Sequence, residues 1–238
     1  MNGTVETIPL LRLAVAFIPV ALVLLLLWRW SIGATQPLYA VGRMLLQLML
    51  VGYALNMIFT TDHAAVVIAV LAVMLIAASW IAMRPLGPRT PGMVGRALLP
   101  IALAGGAVLA LVTAGVLDAE PWYAPRIVVP LAGMIFANAM NSVSLAAERF
   151  AAERDGGAGY HAARATALSA ALIPLVNSLL AVGLVSLPGM MTGQILSGVS
   201  PLVAARYQIV VMCMIFGASG LSAAGYLLLQ RGSNRTPN

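Results

Sequence analysis

The sequence predicts an all-α protein, a polytopic membrane bundle of about seven transmembrane helices. Three observations predict it. The 238-residue chain is 61% hydrophobic and 8% charged, with mean hydropathy +0.98, more apolar surface than a water-soluble fold can cover. Its apolar runs match the roughly 20 residues needed to cross a hydrocarbon layer about 30 Å thick. Its cations are all arginine, 13 of them with no Lys, and most fall between or beyond those runs.

The runs are 8–30, 40–59, 64–83, 97–117, 125–147, 167–187 and 201–230. The first is read as an anchored helix rather than a cleaved signal peptide, because Glu6 precedes any Arg and Ile32-Gly33-Ala34 is a weak cleavage match. Trp28 and Trp30 at its end suit an interfacial belt. The segment from Arg84 to Arg96 holds Pro85, Gly87, Pro88, Pro91 and Gly92, so a turn-rich loop without its own helix is expected. Residues 145–154 form a charged helical stretch with Arg149 and Glu153 one turn apart, interrupted by Gly156, Gly157 and Gly159. Residues 188–200 are too short to span. The last run starts on Pro201 with Ser200 as N-cap. Pro19, Pro130 and Pro174 fall inside spans and are expected to bend them. Small residues four apart (Gly133, Ala137 and Asn141; Ala218 and Ser222; Gly220 and Ala224) suit close helix packing.

Arginine placement predicts orientation. Arg29, Arg84, Arg89, Arg96, Arg149, Arg154, Arg164, Arg231 and Arg235 share one side, with Arg43 just inside the second span. Arg12, Arg126 and Arg206 fall on the other, where Asp62, Asp118 and Glu120 also lie. The N-terminus is therefore expected outside and the C-terminus in the cytoplasm. One transmembrane domain over 1–238 is expected, with 145–169 as a cytoplasmic coupling segment. The basic balance (pI about 10.2) is explained by loops flanking a bilayer, so a lipid bilayer and no nucleic acid is expected as partner.

Absent residues exclude several chemistries. Without Lys there is no Walker-type phosphate loop and no retinal-type Schiff base. The seven carboxylates (Glu6, Asp62, Asp118, Glu120, Glu148, Glu153, Asp155) are expected in loops or tails, which disfavours carriers that need ionisable groups at the midplane. His63 and His161 are expected on opposite faces, so they cannot share a metal within one chain. Cys213 stands alone in the last span and forms no intrachain disulfide. No catalytic residue and no cofactor is expected. Uncharged polar groups remain inside the spans: Gln47 and Asn56 in the second, Asn138 and Asn141 in the fifth, Asn177 in the sixth, with Arg43 at the rim one turn from Gln47. They suit either a hydrophilic path or interhelical hydrogen bonds worth about 0.5–1.5 kcal/mol each. Met190, Met191, Met212 and Met214 with Cys213 suit flexible apolar filling better than a soft-metal ladder.

The stretch Val182-Gly-Leu-Val-Ser-Leu187-Pro188-Gly189-Met190-Met191-Thr192-Gly193, followed by Tyr207-Gln208-Ile209, resembles the signature of the FetB (YbbM) family. These are permease subunits of ABC-type iron exporters, related to plant aluminium-tolerance permeases. Further matching pieces lie in order: Val41-Gly42-Arg43, Gln47-Leu48, Val51-Gly52-Tyr53, Pro130-Leu-Ala-Gly-Met-Ile135, Asn138-Ala139-Met140 and Ala170-Ala-Leu-Ile-Pro174. The resemblance implies a homodimer in the inner membrane, working with a separate cytoplasmic ABC ATPase. The path candidates are Arg43, Gln47, Tyr53, Asn56, Asn138, Asn141 and Asn177, read from polar residues within or at the rim of the spans, with Tyr53 in a matching piece of the resemblance. Docking of the ATPase would fall to 145–169, with Glu148, Arg149, Glu153, Arg154, Gly156 and Gly157. That loop is shorter than the family's, and Gly156-Gly157-Ala158 replaces its Leu-Gly-Ala turn. Metal specificity comes from the resemblance alone, since no residue cluster would hold a bare iron ion. Plant relatives are associated with a sugar nucleotide, so cargo class stays open. The alternative is an ATP-independent carrier or channel for a metal or small polar solute; a third class is a membrane receptor or assembly scaffold.

Overall fold

A computed structural model describes residues 8–232; Glu6 and Arg235 lie outside the described residues. The chain divides into two compact units, Met1–Thr61 and Asp62–Asn238. Among the described residues there are nine α-helices and no strand, and seven helical segments are long and apolar enough to cross a membrane.

In the first unit the expected run breaks into α1 (Leu10–Val15) and α2 (Ile18–Arg29). The cause is Pro19, which lacks an N–H and crowds the carbonyl four residues back, that of Val15, the last residue of α1. Helix α2 ends with Ser31 in the left-handed region (φ 56°), where Ile32 N–H reaches Leu27 O at 3.0 Å and Ser31 N–H reaches Trp28 O at 3.1 Å. Helix α3 (Thr35–Phe59) starts five residues earlier than expected. Pro37 falls in its first turn, where a missing N–H removes no helical bond. No residue of these helices is buried, and large apolar side chains such as Leu22, Leu46 and Met49 are exposed, as helices facing lipid require.

The second unit is built around α6 (Pro125–Asp155), which packs against α4 (Ala64–Ala82), α5 (Pro91–Gly115), α7 (Tyr160–Ala181) and α9 (Pro201–Leu229). Its buried face is Val128, Ala132, Ile135, Ala139, Val143 and Ala146, spaced three and four apart. Helix α5 crosses α9 where Ser222 Oγ donates to Pro100 O at 3.4 Å; Ala218 and Ser222 are buried there, as their spacing predicts. In α6 the small-residue stripe is not the packed face. Ala137 and Asn141 are exposed, and of that stripe Gly133 meets a neighbour closely, at Met74 Cε.

Four expectations are corrected. Segment 84–96 is not helix-free: Arg84–Leu86 form a 3-10 turn, and α5 begins at Pro91 because Thr90 caps it, accepting from Met93 N–H at 3.4 Å. Glu148 and Glu153 lie on the helical stretch expected over 145–154, which continues α6 without a break to Asp155. Helix α7 stops at Ala181, so Val182 to Leu187 form a turn in which Gly183 takes φ +82°. A short helix α8 (Gly189–Leu196) then fills the segment expected to be a loop. Helix α9 starts on Pro201 with Ser200 at the N-cap position, but the serine hydroxyl makes no capping bond.

Candidate functional site

A cavity of about 500 Å³ lies in the second unit, where the first turns of α6, the short α8 and the first third of α9 meet. Helix α6 opens with Pro125 at its first position, no side-chain cap and no acidic residue in its first turn. Its positive end is therefore uncompensated. Arg126, the next residue, lines the cavity and adds a full charge there. On α8, Met190 and Gln194 are four apart and both face the cavity. Hydroxyls hold this helix to its own backbone, with Thr192 Oγ1 donating to Pro188 O at 3.1 Å and Ser197 Oγ to Gly193 O at 2.8 Å. Gly198 at φ +91° stops it, with Val199 N–H on Gln194 O and Gly198 N–H on Ile195 O, both at 3.0 Å. Helix α9 contributes Tyr207, Val210 and Val211.

The polar lining is thus Arg126, Gln194 and Tyr207; Ile127, Pro130, Met134 and Val210 give much of the apolar wall. Arg126 makes no ion pair or side-chain hydrogen bond with any described residue. The Gln194 Oε1 is buried without a partner. Next to the cavity's Tyr207, Gln208 is 6% exposed and its Oε1 is also unmet. Buried amide oxygens want donors, and each unmet one costs about 1–3 kcal/mol. Among the described residues no carboxylate or histidine lines the cavity. Among the described residues, no group of three His, Cys, Asp or Glu could hold a metal ion.

The other predicted positions are dispersed. Arg43 and Gln47 do meet on α3: with its oxygen facing the guanidinium, the Gln47 amide accepts from Arg43 Nε at 3.0 Å and Nη2 at 3.2 Å. Tyr53 and Asn56 are exposed further along α3. Asn138 Nδ2 donates to Met134 O at 2.8 Å within its own helix, while Asn141 and Asn177 are exposed; none of the three lines the cavity. Met190 and Tyr207, from the two halves of the motif, share the cavity; Leu187, Pro188, Gly189, Met191 and Gly193 do not line it.

At the end of α6, Arg149 Nη2 pairs with Glu153 Oε1 at 2.6 Å and Arg154 Nη1 donates to Ala158 O at 2.9 Å. Gly157 (φ +86°) closes the helix, with Ala158 N–H on Glu153 O and Gly157 N–H on Arg154 O. Glu148 is exposed. Sequence reasoning missed Arg126, Gln194 and Met134 as cavity residues. One signal was available: Arg126 is among three arginines that break the sidedness pattern.

Residues 10–233 match the family described as Uncharacterised protein family (UPF0014). The chain belongs to the UPF0014 family. It is 37% identical over 217 residues (85% of this chain, 84% of the relative) to the UPF0014 membrane protein slr1647 of Synechocystis. It is 34% identical to the Probable iron export permease protein FetB of Escherichia coli, covering 83% of this chain and 81% of that one. It is 30% identical to Protein ALUMINUM SENSITIVE 3 of Arabidopsis thaliana, covering 88% and 81%. No solved structure matches. Together with its seven helices long and apolar enough to cross a membrane, UPF0014 membership makes the chain a multi-pass membrane protein.

Proposed function

We propose that this chain is the membrane-spanning permease subunit of an ABC-type exporter in the inner membrane, acting as a homodimer with a separate cytoplasmic ATPase. Its N-terminus lies outside and its C-terminus in the cytoplasm, and its cargo is a metal, iron first. One observation carries the reading: 34% identity over most of both chains to a protein named as an iron export permease. The absence of Lys supports the dependence on a partner, since no Walker-type lysine exists to bind nucleotide.

The geometry of 145–169 supports the coupling role. A lever must be stiff, and this one is a continuation of α6, the helix that packs against four others. Its turn is braced: Phe150 and Tyr160 meet edge to face at 6.0 Å, Arg164 lies 5.5 Å over the Tyr160 ring, and Tyr160 Oη donates to Leu227 O at 3.0 Å. A charged helical end bounded by glycines suits a groove in a soluble partner.

The test is co-expression with a soluble ABC ATPase, followed by copurification and assay in vesicles. ATP-driven export is expected with the pair and is lost when 148–159 is deleted. Transport by the folded chain alone, abolished by an uncoupler and indifferent to ATP, would replace this reading with a gradient-driven carrier.

A further inference from the structure

We propose that the α6–α8–α9 cavity binds an organic oxyanion, a phosphate or carboxylate flanked by a hydroxyl and carried on an apolar body. The sign of charge decides the class. Among the described residues Arg126 is the sole charged one lining the cavity, and it sits on the uncapped first turn of α6. The positive end of that helix and the guanidinium act in the same direction, against a cation and for an anion. Among the described residues Arg126 has no competing acid: Asp118 and Glu120 precede it in the chain, yet neither pairs with it. Its fork of donors is therefore free for a bidentate oxyanion.

The other two parts of the ligand follow from the rest of the lining. Gln194 Oε1 is a buried acceptor with no donor, which a ligand hydroxyl would satisfy; Tyr207 adds a phenol to the same lining. Ile127, Pro130, Met134 and Val210 then present an apolar wall that a sugar phosphate alone would leave uncovered. A bare metal cation fits none of this. The two thioethers present, Met134 and Met190, would have to hold it beside an arginine, with no carboxylate to balance the charge.

Such a headgroup exists both on membrane lipids and on water-borne organic acids, and the experiment separates them. The purified full chain, in nanodiscs of phosphatidylcholine, is titrated with octanoyl lysophosphatidylglycerol by calorimetry, with empty nanodiscs subtracted. Saturable binding is expected, with the choline analogue at least about tenfold weaker because it lacks net charge and the headgroup hydroxyls. Arg126→Gln should weaken binding by about tenfold or more, Arg126→Lys by only a few-fold, and Gln194→Leu by a few-fold. Size exclusion confirms that each variant is folded. Loss of binding when phosphatidylglycerol is added to the nanodisc identifies a lipid as the source, and undiminished binding identifies a water-borne anion. Equal affinity for the choline analogue, no binding at all, or a folded Arg126→Gln chain that binds like the wild type overturns the proposal. No ATPase takes part, so this outcome is independent of the coupling reading above.

Discussion

A Cβ added at Gly225 would lie 2.9 Å from Pro100 Cβ, closer than unbonded carbons approach. That contact lets α9 press against α5 at Pro100, where the helix interior carries a rigid ring instead of a flexible side chain. In lipid, close backbone approach replaces the hydrophobic drive that water would supply, so such contacts weigh more than their size suggests. Gly225→Ala is expected to destabilise the folded chain by about 1–3 kcal/mol, because neither backbone can give way cheaply. Gly106, also within a helix, has nothing within 4 Å of its would-be Cβ. Gly106→Ala should leave the melting temperature unchanged or raise it, since alanine is favoured over glycine in helices by about 1 kcal/mol. Thermal unfolding in detergent, followed by fluorescence-detected size exclusion, distinguishes the two. Equal shifts would mean that the α5–α9 approach is looser than it looks. Tyr160 gives a parallel case through a hydrogen bond: removing its hydroxyl by Tyr160→Phe strips the Leu227 carbonyl of a partner and should cost about 1 kcal/mol.

At the scale of elements, helix ends rather than helix interiors separate what the chain spells out from what it conceals. The end of α6 depends on Gly157 at φ +86°, where an L side chain pays about 1–2 kcal/mol. Gly157→Ala is expected to lower the melting temperature, while Gly156→Ala, at φ −74°, should be nearly neutral. Glu153→Gln breaks a pair whose side chains are 48% and 25% exposed, worth at most about 0.5 kcal/mol, so stability should hardly change. If 145–169 docks an ATPase, the same change should lower transport out of proportion to its effect on melting; matched small losses would return Glu153 to an ordinary surface role. The glycines that end α6 were legible because their conformational freedom is a local property. So were the seven apolar segments, since length and hydropathy are local too. The starts of α3 and α5 were not, because their first turns are polar or glycine-rich, and an apolar run begins only after the helix has begun. The end of α7 at Ala181 was hidden for the opposite reason: Val182, Leu184, Val185 and Leu187 are apolar yet form a turn. The cavity could not be read at all. Its residues are spread from Leu117 to Val211, and only packing brings Arg126 near Gln194 and Tyr207.

For the molecule as a whole, the proposal rests on which compartment each loop occupies, and the alternation of helices makes that a two-part prediction. Ala158 follows α6 and Ser197 follows α7, so one crossing separates them whichever way the chain is inserted. The arginines then predict the direction: nine are expected on the side of Ala158 and three on the other, and moving each into a bilayer costs about 2.5–3.5 kcal/mol at the centre. With Cys213 replaced by Ser, Ser197→Cys and Ala158→Cys provide one thiol each. A membrane-impermeant maleimide applied to intact cells is expected to label Ser197→Cys, and to label Ala158→Cys only after permeabilisation. Labelling of both from outside would break the helix count through α7. Labelling of Ala158→Cys alone would invert the molecule, and with it the docking surface for an ATPase, because 145–169 would then face away from the only compartment that supplies ATP. The α6–α8–α9 cavity would survive that inversion as a binding site, since its chemistry depends on Arg126 and its neighbours rather than on sidedness; what would change is the compartment at whose membrane face its ligand is met.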